Sequence, residues 1–349
     1  MYSLYDRILG CFRAAAMGDG MGAPTEAMSY AEILDSYGGR VTEFLDCDRN
    51  RIAFGNIPGE ITDDASQMYE MIKAIIRCNG DLTVEEAGRG LVEWSNNWPK
   101  YYPRNAGPTA REVIEKIRNN EDYLSTAKSG GMYQKGTSNG AIMRIAGAGA
   151  IHPGDLEGAL HTGIVMTSCS HGTQIAYSAA GAISCAIAEA LEEDSDIHSV
   201  LKAAVYGAKK GEETGMKEAR IAAGARVLPM IYRAIDIVYR ADDALQAERM
   251  LSDEMGTDSS AIAQACAISL GLFAANDGDP LKTIIAGANI GGDTDTIACI
   301  AGSIAGAFKG DAAIPERYKQ ISIDANPDLD LSWAANEFVR IIEERKQRR

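Results

Sequence analysis

The sequence lacks the features of a membrane, secreted or thiolate-metal protein. No stretch approaches the ~20 uninterrupted apolar residues that span a bilayer, and Asp6 and Arg7 stand where a signal peptide carries its apolar segment. The seven cysteines are scattered, odd in number and without any C-x-x-C pair, so neither a disulfide framework nor a thiolate zinc site is indicated. We expect a soluble, cytoplasmic protein with small buried thiols and no membrane partner.

Positive charge is also scarce. The 349 residues carry a net charge of −15, and the basic residues cluster only at 345–349. Because proteins that bind nucleic acid generally present a basic patch, we predict no nucleic-acid partner. Carboxylates that no lysine or arginine balances can be stabilised by bound divalent cations, so the acidity permits a metal site without establishing one.

The hydrophobic pattern predicts an all-α protein. Apolar residues recur at helical spacing along most of the chain, and a serine or threonine followed three residues later by glutamate marks helix starts at Ser29, Thr83 and Thr109. Only residues 41–45 resemble a strand. With 46% hydrophobic residues, we predict one compact domain over residues 1–349, with about a dozen helices and no internal repeat.

Two segments, 176–190 and 297–307, consist mainly of alanine, glycine and serine. Small side chains let helix axes approach closely, and the second segment contains Gly302-x-x-x-Gly306. In a membrane protein that spacing is typical of paired helices, but this apolar run is too short to span a bilayer. We therefore predict tight packing of buried central helices.

Residues 94–108 combine two tryptophans and two tyrosines with three prolines. Because proline interrupts regular structure, the segment is predicted to be a loop. An aromatic loop can stack on a base or a ribose, but aromatic side chains in long loops more often attach the loop to the body of the protein. We favour the second interpretation.

Three acidic clusters lie at predicted helix starts, within residues 18–26, 62–64 and 291–296. Taken singly, each is typical of an ordinary N-cap, since Asp and Thr accept hydrogen bonds from free backbone N–H groups. Neighbouring carboxylates in a regular helix point ~100° or ~200° apart, so Asp63/Asp64 and Asp293/Asp295 converge only on the irregular backbone of a helix start. Such oxygen ligands suit magnesium or manganese, whereas zinc would need histidine or cysteine at ligand spacing.

Five motifs follow one another along the chain: GDGMGAPTE at 18–26, TDD at 62–64, TSNGAIMRIA at 137–146, SHGTQIAYSAAGAI at 170–183 and GGDTDTIACIAGSIAGA at 291–307. In this order they resemble the ADP-ribosylglycohydrolase family, which includes the dinitrogenase-reductase activating glycohydrolase and the ADP-ribosyl-arginine and ADP-ribosyl-serine hydrolases. The resemblance spans roughly residues 5–315, nearly the whole chain.

The resemblance implies an orthogonally packed all-α fold with two divalent ions, magnesium or manganese, at the bottom of a cleft. The positions that match the family's metal ligands are Thr62, Asp63, Asp64, Asp293, Asp295 and Thr296. Glu26 matches an acidic residue that reaches the site from the first loop. The positions that match the pocket for the distal ribose and phosphates are Ser138, Asn139, Gly140 and His171. The family commonly has TDDT where this chain has Ala65, so the metal affinity or selectivity is expected to differ.

These residues predict a metal-dependent glycosidase that hydrolyses the glycosidic bond of ADP-ribosylated substrates, either protein or small molecule. We assign catalysis to Glu26, Asp63 and Asp295, with Glu26 as the base because it lies on a Gly/Pro loop. Backbone N–H groups of the 138–140 turn provide donors for the diphosphate. Arg144 either adds charge there or forms a structural ion pair.

Two alternatives stay open. The same fold can act on free nucleosides or other small N-ribosides, which a substrate panel distinguishes. A catalytically silent binding or structural protein is the other alternative, since the family resemblance extends to some lens crystallins, although the intact ligand motifs argue against it. The sequence leaves the linkage, the metal used in the cell and the oligomeric state open.

Overall fold

The structure, a computed structural model, describes residues 3–128, 136–256 and 260–348. Within them the chain is all-α, as predicted, with seventeen α-helices and no strand. The number exceeds the predicted dozen because several helices of five to ten residues contain too few periodic positions to be recognised. In the same residues no helix combines the length and hydrophobicity needed to cross a bilayer. All seven cysteines are free thiols, and six of them are buried.

Most of the helices follow one another with short connections, and a long irregular segment separates the second helix from the third. In chain order they are α1 Leu4–Gly22, α2 Tyr30–Tyr37, α3 Asp63–Arg77, α4 Val84–Asn97, α5 Pro108–Arg118, α6 Tyr123–Lys128, α7 Ala146–Ala150, α8 Leu156–Ser168, α9 Gln174–Ala190, α10 Ile197–Glu218, α11 Val227–Arg240, α12 Ala244–Met255, α13 Ile262–Ala275, α14 Pro280–Asn289, α15 Thr294–Lys309, α16 Glu316–Ala325 and α17 Leu331–Arg348. Single turns of 3-10 helix occur at Ala23–Thr25, Asn139–Ala141 and Asp311–Ala313.

The prediction of a strand at residues 41–45 is wrong. The backbone of Val41 pairs with a side chain and not with another strand: its N–H donates to Asn289 Oδ1 at 2.9 Å, and its carbonyl accepts from Asn289 Nδ2 at 2.8 Å. The side-chain amide of Asn289 therefore pairs with both backbone groups of Val41 that would have formed hydrogen bonds in a β-sheet. Asn289 lies 248 residues away in the sequence, so no local pattern reveals this contact.

The predicted helix starts are confirmed at two of three positions. Ser29 and Glu32 form a reciprocal capping box, and the Thr83 hydroxyl accepts from the N–H three residues later. The start at Thr109 is wrong, because α5 already begins at Pro108, whose ring fixes the backbone in a helical angle. The predicted loop over 94–108 begins later than expected, since α4 continues to Asn97.

The small-residue segments form α9 and α15, which are buried along nearly their whole length, as predicted. Helix α15 packs directly on α1 through glycines on both sides. A Cβ atom placed on Gly306 would lie 2.0 Å from the carbonyl oxygen of Gly10, and one on Gly18 would lie 2.2 Å from that of Ala298. The two backbones are therefore in contact, and the C-terminal end of α1 lies beside the N-terminal end of α15.

We predict that Gly306→Ala destabilises the fold by about 1–3 kcal/mol, because the added methyl group must push α1 and α15 apart. Gly90→Ala is the matched control, since the added Cβ there meets only the flexible end of Met71 at 3.3 Å and alanine favours the helix. Urea unfolding midpoints measure both effects. Equal midpoints for the two variants would contradict the backbone contact between the helices.

Candidate active site

Three distant segments bring carboxylates to one cavity of about 240 Å³. Asp63 and Asp64 are the first two residues of α3, Asp293 is the N-cap of α15 and Asp295 lies in its first turn. Glu26 directly follows the first 3-10 turn. Glu26, Asp293 and Asp295 each offer an oxygen atom within 4.8 Å of the others. The predicted convergence of two helix starts and the first loop is therefore present.

Backbone pairing holds the Glu26 loop against the start of α15. The N–H of Ala27 donates to the Gly292 carbonyl at 2.7 Å, and the N–H of Gly292 donates to the Met28 carbonyl at 2.8 Å. Gly291 and Gly292 have φ values of +85° and +79°, which side-chain-bearing residues rarely adopt. The two glycines thus let the chain turn so that Asp293 faces the loop.

Asp19 is an acidic residue of this region to which the sequence analysis gave no role. It lies in α1 and is fully buried. Its carboxylate accepts from the N–H of Thr62 at 2.9 Å and from the N–H of Ala65 at 2.9 Å. It therefore caps α3 from another helix and fixes the position of Asp63. The signal was a charged residue flanked by two glycines in the otherwise apolar C-terminal part of α1, residues 14–22.

The two threonines predicted as metal ligands lie at the two helix starts and are buried. The Thr62 hydroxyl is 3.5 Å from Asp295 Oδ2, so it bridges the starts of α3 and α15. Thr296 lines the cavity, and its N–H donates to Asp295 Oδ1 at 2.9 Å. Ala65, where the family commonly has threonine, contributes its backbone N–H to Asp19.

Burial and crowding raise the pKa values of several acidic groups in and beside the cavity. Burial first, and then the charges of Asp19 and Asp293, raise the pKa of Asp63 to about 8. Burial alone raises the pKa of Asp19 to about 6, against the hydrogen bonds that lower it. Burial followed by neighbouring carboxylates raises the pKa well above the usual range for Glu26, Asp64 and Asp295. These groups repel one another and are poorly solvated.

Two of the carboxylate oxygens are buried without a hydrogen-bond donor among the described residues. They are Glu26 Oε2 and Asp64 Oδ2. A buried oxygen of this kind calls for an explanation, because nearly all buried acceptors in native proteins are paired. Magnesium and manganese prefer several carboxylate oxygens, so these residues fit such an ion. A zinc site does not fit, since His171 is the only histidine among the described residues that line the cavity.

The opposite wall is formed by the turn at 138–140 and by His171, as predicted. Asn139 Nδ2 donates to Asp293 Oδ2 at 2.8 Å, which connects this wall to the carboxylates. His171 is buried, and its Nε2 lies 2.9 Å from Ser138 Oγ. Burial, and secondly the charge of Arg144, lowers the pKa of His171 to about 3, so its ring is neutral at physiological pH.

The sequence analysis missed Gln67 and the start of α5 as parts of the cavity wall. Gln67 Nε2 donates to Asp63 Oδ2 at 3.1 Å, and its position one helical turn after Asp63 was a signal for this contact. Residues 107–110 line the cavity together with Asn105. These residues lie at the end of the 94–108 segment and at the start of α5, which no local motif connects to the carboxylates.

The model of the ADP-ribosylglycohydrolase family matches residues 1–345. The chain belongs to the ADP-ribosylglycohydrolase family. The uncharacterized protein YegU of Escherichia coli (strain K12) is 28% identical over 348 residues, which are 98% of each chain. The ADP-ribosyl-[dinitrogen reductase] glycohydrolase of Rhodospirillum rubrum is 32% identical over 44% of this chain and 49% of that protein. Human ADP-ribosylhydrolase ARH3 is 23% identical over 90% of this chain and 88% of its own.

A solved structure described as an ADP-ribosylglycohydrolase-related protein complex superposes with a TM-score of 0.67 at 20% identity, covering 97% of this chain and 99% of that one. At that identity the likeness shows a shared fold. The family membership and the fold predicted from the motifs are therefore both confirmed for this chain.

We predict that the chelator-treated protein loses stability relative to its Asp63→Asn variant as the pH rises from about 4 to 8. The folded pKa of Asp63 lies above its unfolded value, so the native state binds more protons in this window and the relative stability falls by up to about 1.4 kcal/mol per pH unit. Urea unfolding at several pH values measures the difference. A difference that stays constant from pH 4 to 8 would contradict the crowding of carboxylates around Asp63.

Proposed function

We propose that this protein is a metal-dependent hydrolase that cleaves the glycosidic bond of ADP-ribosylated substrates at the acidic cavity. One observation carries the proposal: five carboxyl groups from three chain segments line one cavity, with Arg144 as the only lysine or arginine among the described lining residues. Asp64 and Asp295 are buried and the other three are half-buried, and like charges crowded in this way are unstable unless cations or protons compensate them. Two bound divalent cations would do so while leaving the carboxylates ionised.

The proposed ligands of two magnesium or manganese ions are Thr62, Asp63, Asp64, Asp293, Asp295 and Thr296. The donor-free Asp64 oxygen supports this assignment, as does the group of close oxygens at Asp293 and Asp295. Such ions, when bound, would orient sugar hydroxyls and lower the pKa of a bound water. Glu26 belongs to the same group of close oxygens, so its carboxylate lies at the edge of the metal site.

Glycoside hydrolysis needs a proton acceptor for the attacking water and compensation for positive charge at the anomeric carbon. We assign the first role to Glu26, whose buried Oε2 receives no hydrogen bond from the described residues. Asp63 and Asp295 compensate the charge. Water attacks the anomeric carbon, the glycosidic bond breaks, and the leaving nitrogen or oxygen takes up a proton.

We assign the distal ribose and the phosphates of the substrate to the cavity wall formed by the turn at 138–140 and by His171. In the 3-10 turn Asn139–Ala141 the N–H of Asn139 donates to the Ser260 carbonyl at 2.9 Å, whereas the N–H of Gly140 has no acceptor among the described residues. Such groups bind phosphate oxygens without lysine or arginine, which matches a diphosphate in an otherwise acidic cavity. A free nucleoside has no phosphate and would leave this wall unused, so we prefer an ADP-ribosyl substrate.

The proposal is tested with arginine-linked and serine-linked ADP-ribosyl peptides and a panel of nucleosides, each with Mg²⁺, Mn²⁺ or a chelator. Mass spectrometry should detect free ADP-ribose and unmodified peptide in the presence of metal, and neither product with chelator. Release of ribose from nucleosides alone would assign the protein to the other substrate class. No product from any substrate would contradict the hydrolase assignment.

In the same assay we predict that Glu26→Gln lowers kcat by about 10²–10⁴-fold, because an amide cannot accept the proton of the attacking water. Saturating metal is used so that a weaker metal site does not contribute to the loss. Glu32→Gln is the matched control, since Glu32 is an exposed acid that caps the next helix and glutamine supports the same cap. Full turnover in Glu26→Gln would remove this residue from the role of base.

A further inference from the structure

Arg144 lies fully buried between the two walls of the cavity and holds a hydrogen bond on each side. Its Nη1 donates to Gln67 Oε1 at 2.7 Å, and its Nη2 donates to Ser170 Oγ at 2.7 Å. No carboxylate among the described residues lies within ion-pair distance of Arg144, so the structural ion pair considered from the sequence is not found. A guanidinium can only donate, so both partners must accept.

The contact with Ser170 determines which nitrogen of His171 carries the proton. The Ser170 oxygen accepts from Arg144 and lies 2.8 Å from His171 Nδ1. Ser170 is fully buried, and two acceptors lie near its hydroxyl hydrogen: His171 Nδ1 and the sulfur of Cys169, of which the ring nitrogen is much the stronger. If Nδ1 carried a proton, the buried hydroxyl hydrogen would be left with only the weak sulfur acceptor. The hydrogen bonds around Ser170 are best paired when Nε2 carries the proton of the neutral His171 ring, so we assign the proton to that nitrogen.

The series of hydrogen bonds continues from His171 to Ser138, whose Oγ lies 2.9 Å from His171 Nε2. With the proton on Nε2, the ring donates and the Ser138 oxygen accepts. The hydroxyl hydrogen of Ser138 is then free to donate, and Ser138 lines the cavity. The hydroxyl thus faces a ligand as a donor, which suits an anionic or sugar oxygen and does not suit an N–H group.

A second series of hydrogen bonds runs from Arg144 through Gln67 to the carboxylates. Because Gln67 Oε1 accepts from Arg144, the amide nitrogen of Gln67 must point the other way, and it donates to Asp63 Oδ2 at 3.1 Å. The reverse amide orientation would place two oxygens against each other at Asp63. Arg144 therefore also directs a donor at Asp63, which favours the ionised carboxylate.

We propose that Arg144 is a positioning residue that sets the direction of both hydrogen-bond chains, so that Ser138 presents a hydroxyl donor to a substrate oxygen on one wall while Asp63 is held as an acceptor on the other. Only the identification of the substrate oxygen, a phosphate or ribose oxygen, rests on the proposed function. The direction of the chains is a property of the free protein.

The first test is nitrogen-proton correlation spectroscopy of the ¹⁵N-labelled full chain without substrate at pH 7. The chain has four histidines, and a His171→Asn variant identifies the signals of His171. We expect a single neutral tautomer with the proton on Nε2. A proton on Nδ1, or a charged ring, would overturn the proposal.

Two variants test whether Arg144 causes this tautomer. In Arg144→Met the Ser170 hydroxyl hydrogen can rotate towards the space left by the guanidinium while the oxygen accepts from Nδ1, so we expect a mixture of both tautomers. In Ser170→Ala, which removes only a hydroxyl group, we expect the Nδ1 signal to move to that of a nitrogen without a hydrogen bond. Ser178→Ala is the control, since its buried hydroxyl donates to the Ala208 carbonyl outside the site. If the spectra of Ser170→Ala were identical to those of the wild type, the proposed series of hydrogen bonds from Arg144 through Ser170 to His171 would be overturned.

Calorimetric binding of ADP-ribose tests the consequence for the ligand. Ser138→Ala should weaken binding about tenfold, the loss expected for one hydrogen bond to a charged oxygen. Arg144→Met should weaken binding as well, and the double variant should lose less than the product of the two single losses, because both remove the same donor. Strictly multiplicative losses would overturn the link. Absence of ADP-ribose binding in the wild type would instead contradict the proposed function and leave the tautomer result standing.

Discussion

Mutual repulsion among buried carboxylates is the constraint on which the rest of this structure depends. Two unit charges ~4 Å apart repel by about 4 kcal/mol at an effective dielectric constant of about 20. A single hydrogen bond to a charged group returns only about 1.5–3 kcal/mol. The caps at Thr62 and Asp19 therefore cannot by themselves hold several ionised groups in one cavity. We propose that bound cations compensate the charge at neutral pH, and that bound protons do so when cations are removed.

The fold supplies the rigidity that such a site requires. Glycines bring α1 and α15 into backbone contact, so the end of one helix and the start of the other meet with little freedom to separate. A Cβ on Gly22 would lie 2.5 Å from the Cα of Asp295. The backbone contact between α1 and α15 therefore lies directly beside an acidic group. Repulsion between the carboxylates is thus opposed by close packing of the helices that carry them.

The parts of the site that depend on local chemistry were predictable from the sequence. Helix starts at Asp63 and Asp293 follow from capping preferences and glycine, and their convergence follows from the geometry of a helix start. The family motifs predicted the all-α fold. The roles of individual ligands stay predictions, because burial and proximity alone do not establish a bound ion.

Most of the wrong or missing predictions concern contacts between residues that lie far apart in the sequence. Asn289 satisfies the backbone of Val41, so the apparent strand has no partner to pair with. Asp19 caps a helix whose N-cap, Thr62, lies 43 residues later, and the direction of the Asp19 side chain depends on how α1 packs. Gln67 was within reach of a local argument, since residues four apart share a helix face. The boundary at Pro108 was also local and was missed because Thr109 offered a competing motif.

The most direct test of this account is anomalous diffraction from crystals grown with Mn²⁺. We expect two manganese peaks, ~3.5–4 Å apart, lying between the carboxylates at the start of α3 and those at the start of α15. A structure in which these aspartates bind no manganese at saturating concentration, or in which they point away from one another, would contradict the central claim that the carboxylates converge to hold cations.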